Sequence, residues 1–151
     1  DVALLPNTDE EEFACGSYLH IQRYRHNMQL WQSTEQKTQE DVMGRTKVDN
    51  IEYASEDKPA TAHTKKVNLK DDEGKSIEIL RQSMPYGDMK LQGLFFASYC
   101  HSAKPFEMML KAMIYPDSDG NFDHLLKYTQ AETGAAFFAP SLNFLESLAN
   151  I

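Results

Sequence analysis

Long apolar runs, paired cysteines and basic clusters are all missing from this chain of 151 residues. No stretch approaches the roughly 20 apolar residues that a bilayer-crossing helix needs, so no membrane partner is expected and the chain should be globular and soluble. Only two cysteines occur, Cys15 and Cys100. Both lie in apolar, strand-like runs, where small buried thiols suit a reducing compartment, so a cytoplasmic location is expected. Basic residues are scattered and the formal net charge is −8, which would repel phosphate backbones; nucleic acid is not an expected partner. There is no Cys-x-x-Cys or His-x-x-x-His spacing for zinc, no Gly-x-Ser-x-Gly elbow and no glycine-rich phosphate loop. Nor is there an initiator Met or a basic leader: the chain opens Asp1-Val2-Ala3-Leu4-Leu5-Pro6 and turns acidic from Asp9 to Glu12. That opening is the one expected of a chain entered partway, with residues 1–14 a linker from a missing N-terminal segment.

What is present suits one domain. Hydrophobic residues make up 41% and aromatics 11%, enough for a core without disulfide or metal staples. Residues 16–24 alternate β-preferring side chains on both faces and predict a first strand. Asn27 offers a helix cap, Ser33 and Gln36 have capping-box spacing, and Gly44 offers a stop, so a broken helix is predicted over 28–43. Residues 45–74 are polar and aperiodic, a long connection of the kind that is often functional. Ile77 to Leu80 predicts a second strand, ended by the Pro85-Tyr86-Gly87 turn. Leu94 to Cys100 predicts a third, covered on both faces. Phe106, Met109, Leu110 and Met113 form one helical stripe. A short helical piece over 122–128 and a strand over 134–138 complete the order strand, helix, strand, strand, helix, strand. This is an α+β fold, a ferredoxin-like sandwich with an antiparallel four-stranded sheet. Such a sheet carries helices on one face only, so its open face is expected to cover a partner sheet, a second copy or a flat apolar cofactor.

Local pattern alone singles out none of the five histidines, His20, His26, His63, His101 and His124. Asp117-Ser118-Asp119-Gly120-Asn121 imitates the start of a calcium loop, but Phe122 and Tyr128 occupy the places of the glycine and the bidentate glutamate, and a solvated turn is expected. Helical spacing assigns the methionines, Met84, Met89, Met108, Met109 and Met113, to core packing. Arg81 follows Ile79-Leu80 in a strand and needs either an ion-pair partner or a polar ligand site.

Separated blocks then carry a resemblance. Residues 16–24, Asn27 to Trp31, Met43-Gly44-Arg45-Thr46-Lys47, Pro59-Ala60-Thr61-Ala62-His63, residues 79–87, Gly93 to Tyr99 and Thr133-Gly134-Ala135-Ala136-Phe137-Phe138 resemble, in this order, the bacterial dye-decolourising peroxidases, in particular their compact B class. The likeness runs over about 15–147, which by resemblance is a ferredoxin-like haem-binding domain, with 148–151 as the C-terminal end. It implies haem b as cofactor, with His63 as proximal iron ligand, Asp123 as the acidic partner of that imidazole and Arg81 as the distal arginine. Ser83 falls where many members carry a distal asparagine. Arg45, in the Gly-Arg-Thr-Lys block, is expected to pair with a haem propionate, since a guanidinium fork suits a carboxylate. Leu94 and Phe96, which share one strand face, are candidates for the apolar distal wall.

The resemblance implies a peroxidase that reduces hydrogen peroxide and oxidises an organic electron donor, a dye or a phenolic compound, as a homo-oligomer. Trp31 or surface tyrosines are candidate electron relays. The Gly-x-x-Asp-Gly motif that supplies a distal aspartate in the family is absent, so activity is expected to need the missing N-terminal half. The rival expectation is a haem-binding or haem-iron-handling protein with little turnover; a ferredoxin-like interaction module without haem is the third.

Overall fold

The computed structural model describes residues 2–6 and 13–149; the acidic run at Asp9 to Glu12 lies outside them. Four strands, β1 (Ser17–His26), β2 (Leu80–Gly87), β3 (Gln92–Cys100) and β4 (Thr129–Ala139), form one antiparallel sheet in the order β2-β3-β1-β4. Between β1 and β2 come α1 (Met28–Ser33), α2 (Gln36–Met43) and α3 (His63–Lys66); α4 (Lys104–Ile114) joins β3 to β4 and α5 (Leu142–Ala149) follows β4. The architecture is the expected ferredoxin-like α+β sandwich. No helix among the described residues is long and apolar enough to cross a membrane.

The helices start and stop for local reasons. Asn27 Oδ1 accepts the Leu30 amide at 3.0 Å and opens α1, and Gly44, at φ +75°, closes α2 in the left-handed conformation that suits glycine. The expected capping box does not form. Glu35 is the N-cap of α2 without a side-chain bond, while the Ser33 hydroxyl turns back to donate to the Leu30 carbonyl. The second strand begins later than expected and runs through Pro85, because β2 is an edge strand where a missing N–H costs no ladder bond. Two short helices went unread in the sequence: α3, inside the long polar connection, and α5, whose Ser141 hydroxyl accepts the Phe144 amide.

Register sorts the strand residues onto two faces. Arg81, Ser98, His20 and Ala136 form one cross-strand row, and Ser83, Phe96, Gln22 and Gly134 the next; this face meets α4, whose Phe106 ring stacks against His20 at 5.5 Å. Leu80, Tyr99, Leu19 and Phe137 form a row on the opposite face, where Leu80, Met84 and Phe137 are exposed. Two further expectations need correction. Cys15 is exposed in a turn at φ +62° and only Cys100 is buried, while Met84 and Met89 lie on the surface and Met109 is in the core.

Candidate functional site

A short helix without a side-chain cap puts His63 at the start of α3, where Ala62, fully buried, seats the turn. The ring nitrogen Nδ1 lies 2.6 Å from Asp123 Oδ2. Asp123 is itself fixed: its backbone amide donates to the Met113 carbonyl, its Oδ1 accepts the Leu125 amide at 2.9 Å, and its side chain is wholly buried. A carboxylate only accepts, so Nδ1 donates, and in the neutral imidazole Nε2 is then the nitrogen that carries the lone pair. Nε2 has no hydrogen-bond partner among the described residues.

His63 lines a cavity of about 260 Å³ between the sheet and the helices. Arg81, Ser83, Leu94 and Phe96 line it from the sheet, and Phe106, Met109 and Met113 from α4. The cavity lies on the helix-covered face and not on the open one, because the strand positions bearing Arg81 and Ser83 share a face with Leu94, Phe96 and His20. The side chains of Arg81 and Ser83 make no hydrogen bond or ion pair among the described residues. His20, also on this wall, has its imidazole pKa pushed down by burial. Tyr24, a buried neighbour that donates to Gln22 Oε1 at 2.5 Å, has its phenol pushed up by burial and by the Asp123 charge.

Arg45 is not in this cavity but lines an adjoining polar one of about 450 Å³, with Glu52, Thr64 and Asn68; Val67, Ile79 and Arg81 belong to both walls. Arg45 Nε and Thr64 Oγ1 are buried with no hydrogen-bond partner. Orphaned donors of this kind are costly unless something accepts from them. The site therefore offers an imidazole, an apolar wall, the guanidinium of Arg81 and, in the adjoining space, a donor pair at Arg45 Nε and Thr64 Oγ1.

Residues 1–144 match the family described as Dyp-type peroxidase, C-terminal. The chain belongs to this family. It is 57% identical to a putative Dyp-type peroxidase from Shewanella oneidensis whose crystal structure superposes with a TM-score of 0.92, over 97% of this chain and 47% of that one. A Rhodococcus jostii DypB variant solved in complex with heme is 35% identical, with a TM-score of 0.91 over 97% of this chain and 48% of that one. The dye-decolorizing peroxidase of Mycolicibacterium paratuberculosis is 37% identical over 140 residues, 91% of this chain and 40% of that protein. The chain thus spans less than half the length of each of these relatives.

Within this Dyp-type C-terminal domain, sequence reasoning overlooked Thr64, Lys58, Tyr24 and His20. Strand alternation could have found the last two, since both share a face of β1, opposite Leu94 and Ser98 respectively. Nothing in the sequence marks Thr64 or Lys58, which approach Gly44, the neighbour of Arg45, from a segment without periodicity. Trp31 is half-buried against Tyr128, with ring centroids 4.9 Å apart.

Proposed function

We propose that this chain is the haem-holding half of a peroxidase that reduces hydrogen peroxide and oxidises dyes or phenolic compounds. The observation that carries the reading is the imidazole of His63, held by buried Asp123 at a mostly apolar cavity whose sheet wall carries Arg81. The residues fit a haem: an imidazole nitrogen for the iron, Leu94 and Phe96 for the porphyrin plane, and orphaned Arg45 Nε and Thr64 Oγ1 as donors for a carboxylate. Bound haem supplies the redox-active iron at which a peroxide is reduced by two electrons.

The chain's own groups then have separate tasks. Asp123 takes the Nδ1–H of His63, which fixes the ring and makes Nε2 a stronger donor. Arg81 provides a cation that never titrates, placed to meet negative charge that grows on a peroxide oxygen as its O–O bond breaks. Ser83, one row along the same strand face, offers a hydroxyl that can orient a peroxide or a water beside Arg81. Apolar Leu94, Phe96 and Met109 exclude water and so strengthen these charges. We take residues 15–147 as the haem-binding domain and residues 1–14 as the link to an N-terminal half. That half is proposed to cover the open sheet face at Leu80, Tyr99, Leu19 and Phe137 and to supply an acid–base carboxylate. A homo-oligomer and a cytoplasmic address complete the reading, the latter supported by the free thiol of buried Cys100.

The test is His63→Ala in the full-length protein, followed by absorption and magnetic resonance of the haem-loaded sample. Loss of the imidazole fifth ligand is expected, and an unchanged spectrum and ligand overturn the reading. Stopped-flow mixing of the wild-type protein with hydrogen peroxide separates peroxidase from haem carrier: a rapid change in the Soret band supports the enzyme, and an inert band the carrier.

A further inference from the structure

Lys58 is the one lysine among the described residues that is buried, with 5% of its side chain exposed. A buried ammonium has to be paired, and this one donates to Glu52 Oε1. The other oxygen of that carboxylate, Oε2, lies 3.8 Å from Arg45 Nη2. This is close enough for attraction and too long for a hydrogen bond. Lys58 also holds Glu52 in its charged form, with its carboxyl below the ordinary value chiefly through that bond.

The three residues are set by backbone. Arg45 and Glu52 face each other in an isolated antiparallel bridge, with Thr46 N donating to Ile51 O at 2.9 Å and Tyr53 N to Gly44 O at 3.0 Å. At that distance a free glutamate would be expected to close a bidentate pair with the guanidinium, the stronger and shorter arrangement. It does not, because Lys58 pulls the carboxylate the other way. The lysine stem is held against Gly44, where an added Cβ would stand 3.3 Å from Lys58 Cδ and 2.2 Å from Thr64 Oγ1. The Lys58 carbonyl accepts from Lys65 Nζ at 3.0 Å, which ties the same loop to α3, the helix of His63 and Thr64.

We propose that Lys58 is a positioning residue for carboxylate binding at Arg45: by holding Glu52 it keeps that carboxylate off the guanidinium and leaves Arg45 free for a ligand's carboxylate. The inference rests on the reading of Arg45 as the residue that receives a haem carboxylate. Without the lysine, Glu52 turns to Arg45, neutralises it and competes with the ligand. The geometry also makes the effect specific: it concerns the acidic edge of the ligand and leaves the apolar cavity unchanged.

The experiment titrates the full-length protein with iron protoporphyrin IX and with its dimethyl ester, reading Kd from the Soret band. Wild type should prefer the free diacid, and Arg45→Leu should abolish that preference. Lys58→Met should weaken the diacid about tenfold and leave the ester unchanged, the scale of one lost charge-assisted bond. Adding Glu52→Gln to Lys58→Met should restore diacid binding, which no packing defect at Lys58 predicts. If Lys58→Met does not fold, Lys58→Gln, which keeps a donor without the charge, carries the same expected direction. Equal weakening of diacid and ester, no weakening at all, or no rescue by Glu52→Gln overturns the proposal. If Arg45→Leu leaves the diacid preference intact, the reading of Arg45 itself fails; if Arg45→Leu removes it and Lys58→Met does not, only the role of Lys58 fails.

Discussion

His63 Nδ1 stands 2.6 Å from Asp123 Oδ2, across sixty residues of chain, and Asp123 has no surface exposed to solvent. The pair joins the short helix α3 to the turn before β4, and a second strap crosses the same gap: His124 N donates to the Thr61 carbonyl at 3.0 Å. An imidazole held this firmly on one nitrogen has its other nitrogen committed in direction, which is what a ligand to a metal requires.

Asp123→Asn separates orientation from charge. The amide can still accept from the Leu125 N–H, so the turn should survive, while the imidazole loses its anionic partner. Haem affinity of the full-length protein is expected to fall by about 10–100-fold, as for other lost partners of metal-bound imidazoles. Asp123→Ala also removes the acceptor for Leu125 and should cost roughly 1–3 kcal/mol of stability more than the asparagine variant. Urea unfolding of both variants checks the second figure, and Soret titration the first.

The Arg81 side chain has no hydrogen-bond or ion-pair partner among the described residues. Replacing it by leucine should therefore change folding stability by no more than about 0.5 kcal/mol, the usual range for a surface side chain without special contacts. Peroxide chemistry should suffer far more: removing a preorganised donor that meets developing charge costs on the order of 100–1,000-fold. Stopped-flow rates with hydrogen peroxide, set beside urea midpoints of the same variant, test the split between the two effects. Arg81→Lys retains the charge but not the fork, and an intermediate rate is expected.

Acid should weaken the fold through its cavity histidines. Burial lowers the pKa of both His20 and His26, so below the ordinary imidazole value of 6.5 the unfolded chain binds protons that the folded one resists. Their contribution to stability is intact above pH 6.5 and is lost as pH falls from there through the depressed folded values. Urea midpoints measured from pH 7.5 down to pH 5 should decline, and His20→Gln should flatten that decline. An identical slope in the variant would rule out His20 as a source.

The parts of this architecture that follow periodic rules were legible beforehand. The β-preferring residues on both alternating faces of β1, the apolar run of β3 and the Phe106, Met109, Leu110, Met113 stripe of α4 were enough to give the strand order along the chain and the fold class. Pro85 misled because proline's penalty depends on whether a strand is central or at an edge, and strand order is a long-range property. Residues 63–66 gave no helical signal, since four residues carry no period and Ala62 brings no cap. The location of the cavity was missed for a related reason. Alternation shows that two faces differ, but only the register joining Arg81 to Ser98 and His20 shows which face meets α4. Arg45, Lys58 and Thr64 come together through a close approach at Gly44 that no spacing rule encodes.

Gly44 is where that approach can be tested. Its φ of +75° already disfavours any side chain, and a Cβ there would meet Thr64 Oγ1 at 2.2 Å and Ala62 Cβ at 3.2 Å. Strain from the backbone alone is of order 1–3 kcal/mol, and the clash adds to it unless α3 moves away. Gly44→Ala should therefore lower stability by at least about 1 kcal/mol, and any relief by displacement of α3 carries His63 with it. Urea unfolding measures the first effect. The second predicts a further signature: Gly44→Ala should broaden or shift the Soret band of the haem-loaded protein, whereas Gly74→Ala, whose added Cβ meets nothing within 4 Å, should cost backbone strain without altering the spectrum. Indistinguishable spectra for Gly44→Ala and wild type would mean that α3 holds its place and that the strain is absorbed in the loop before it.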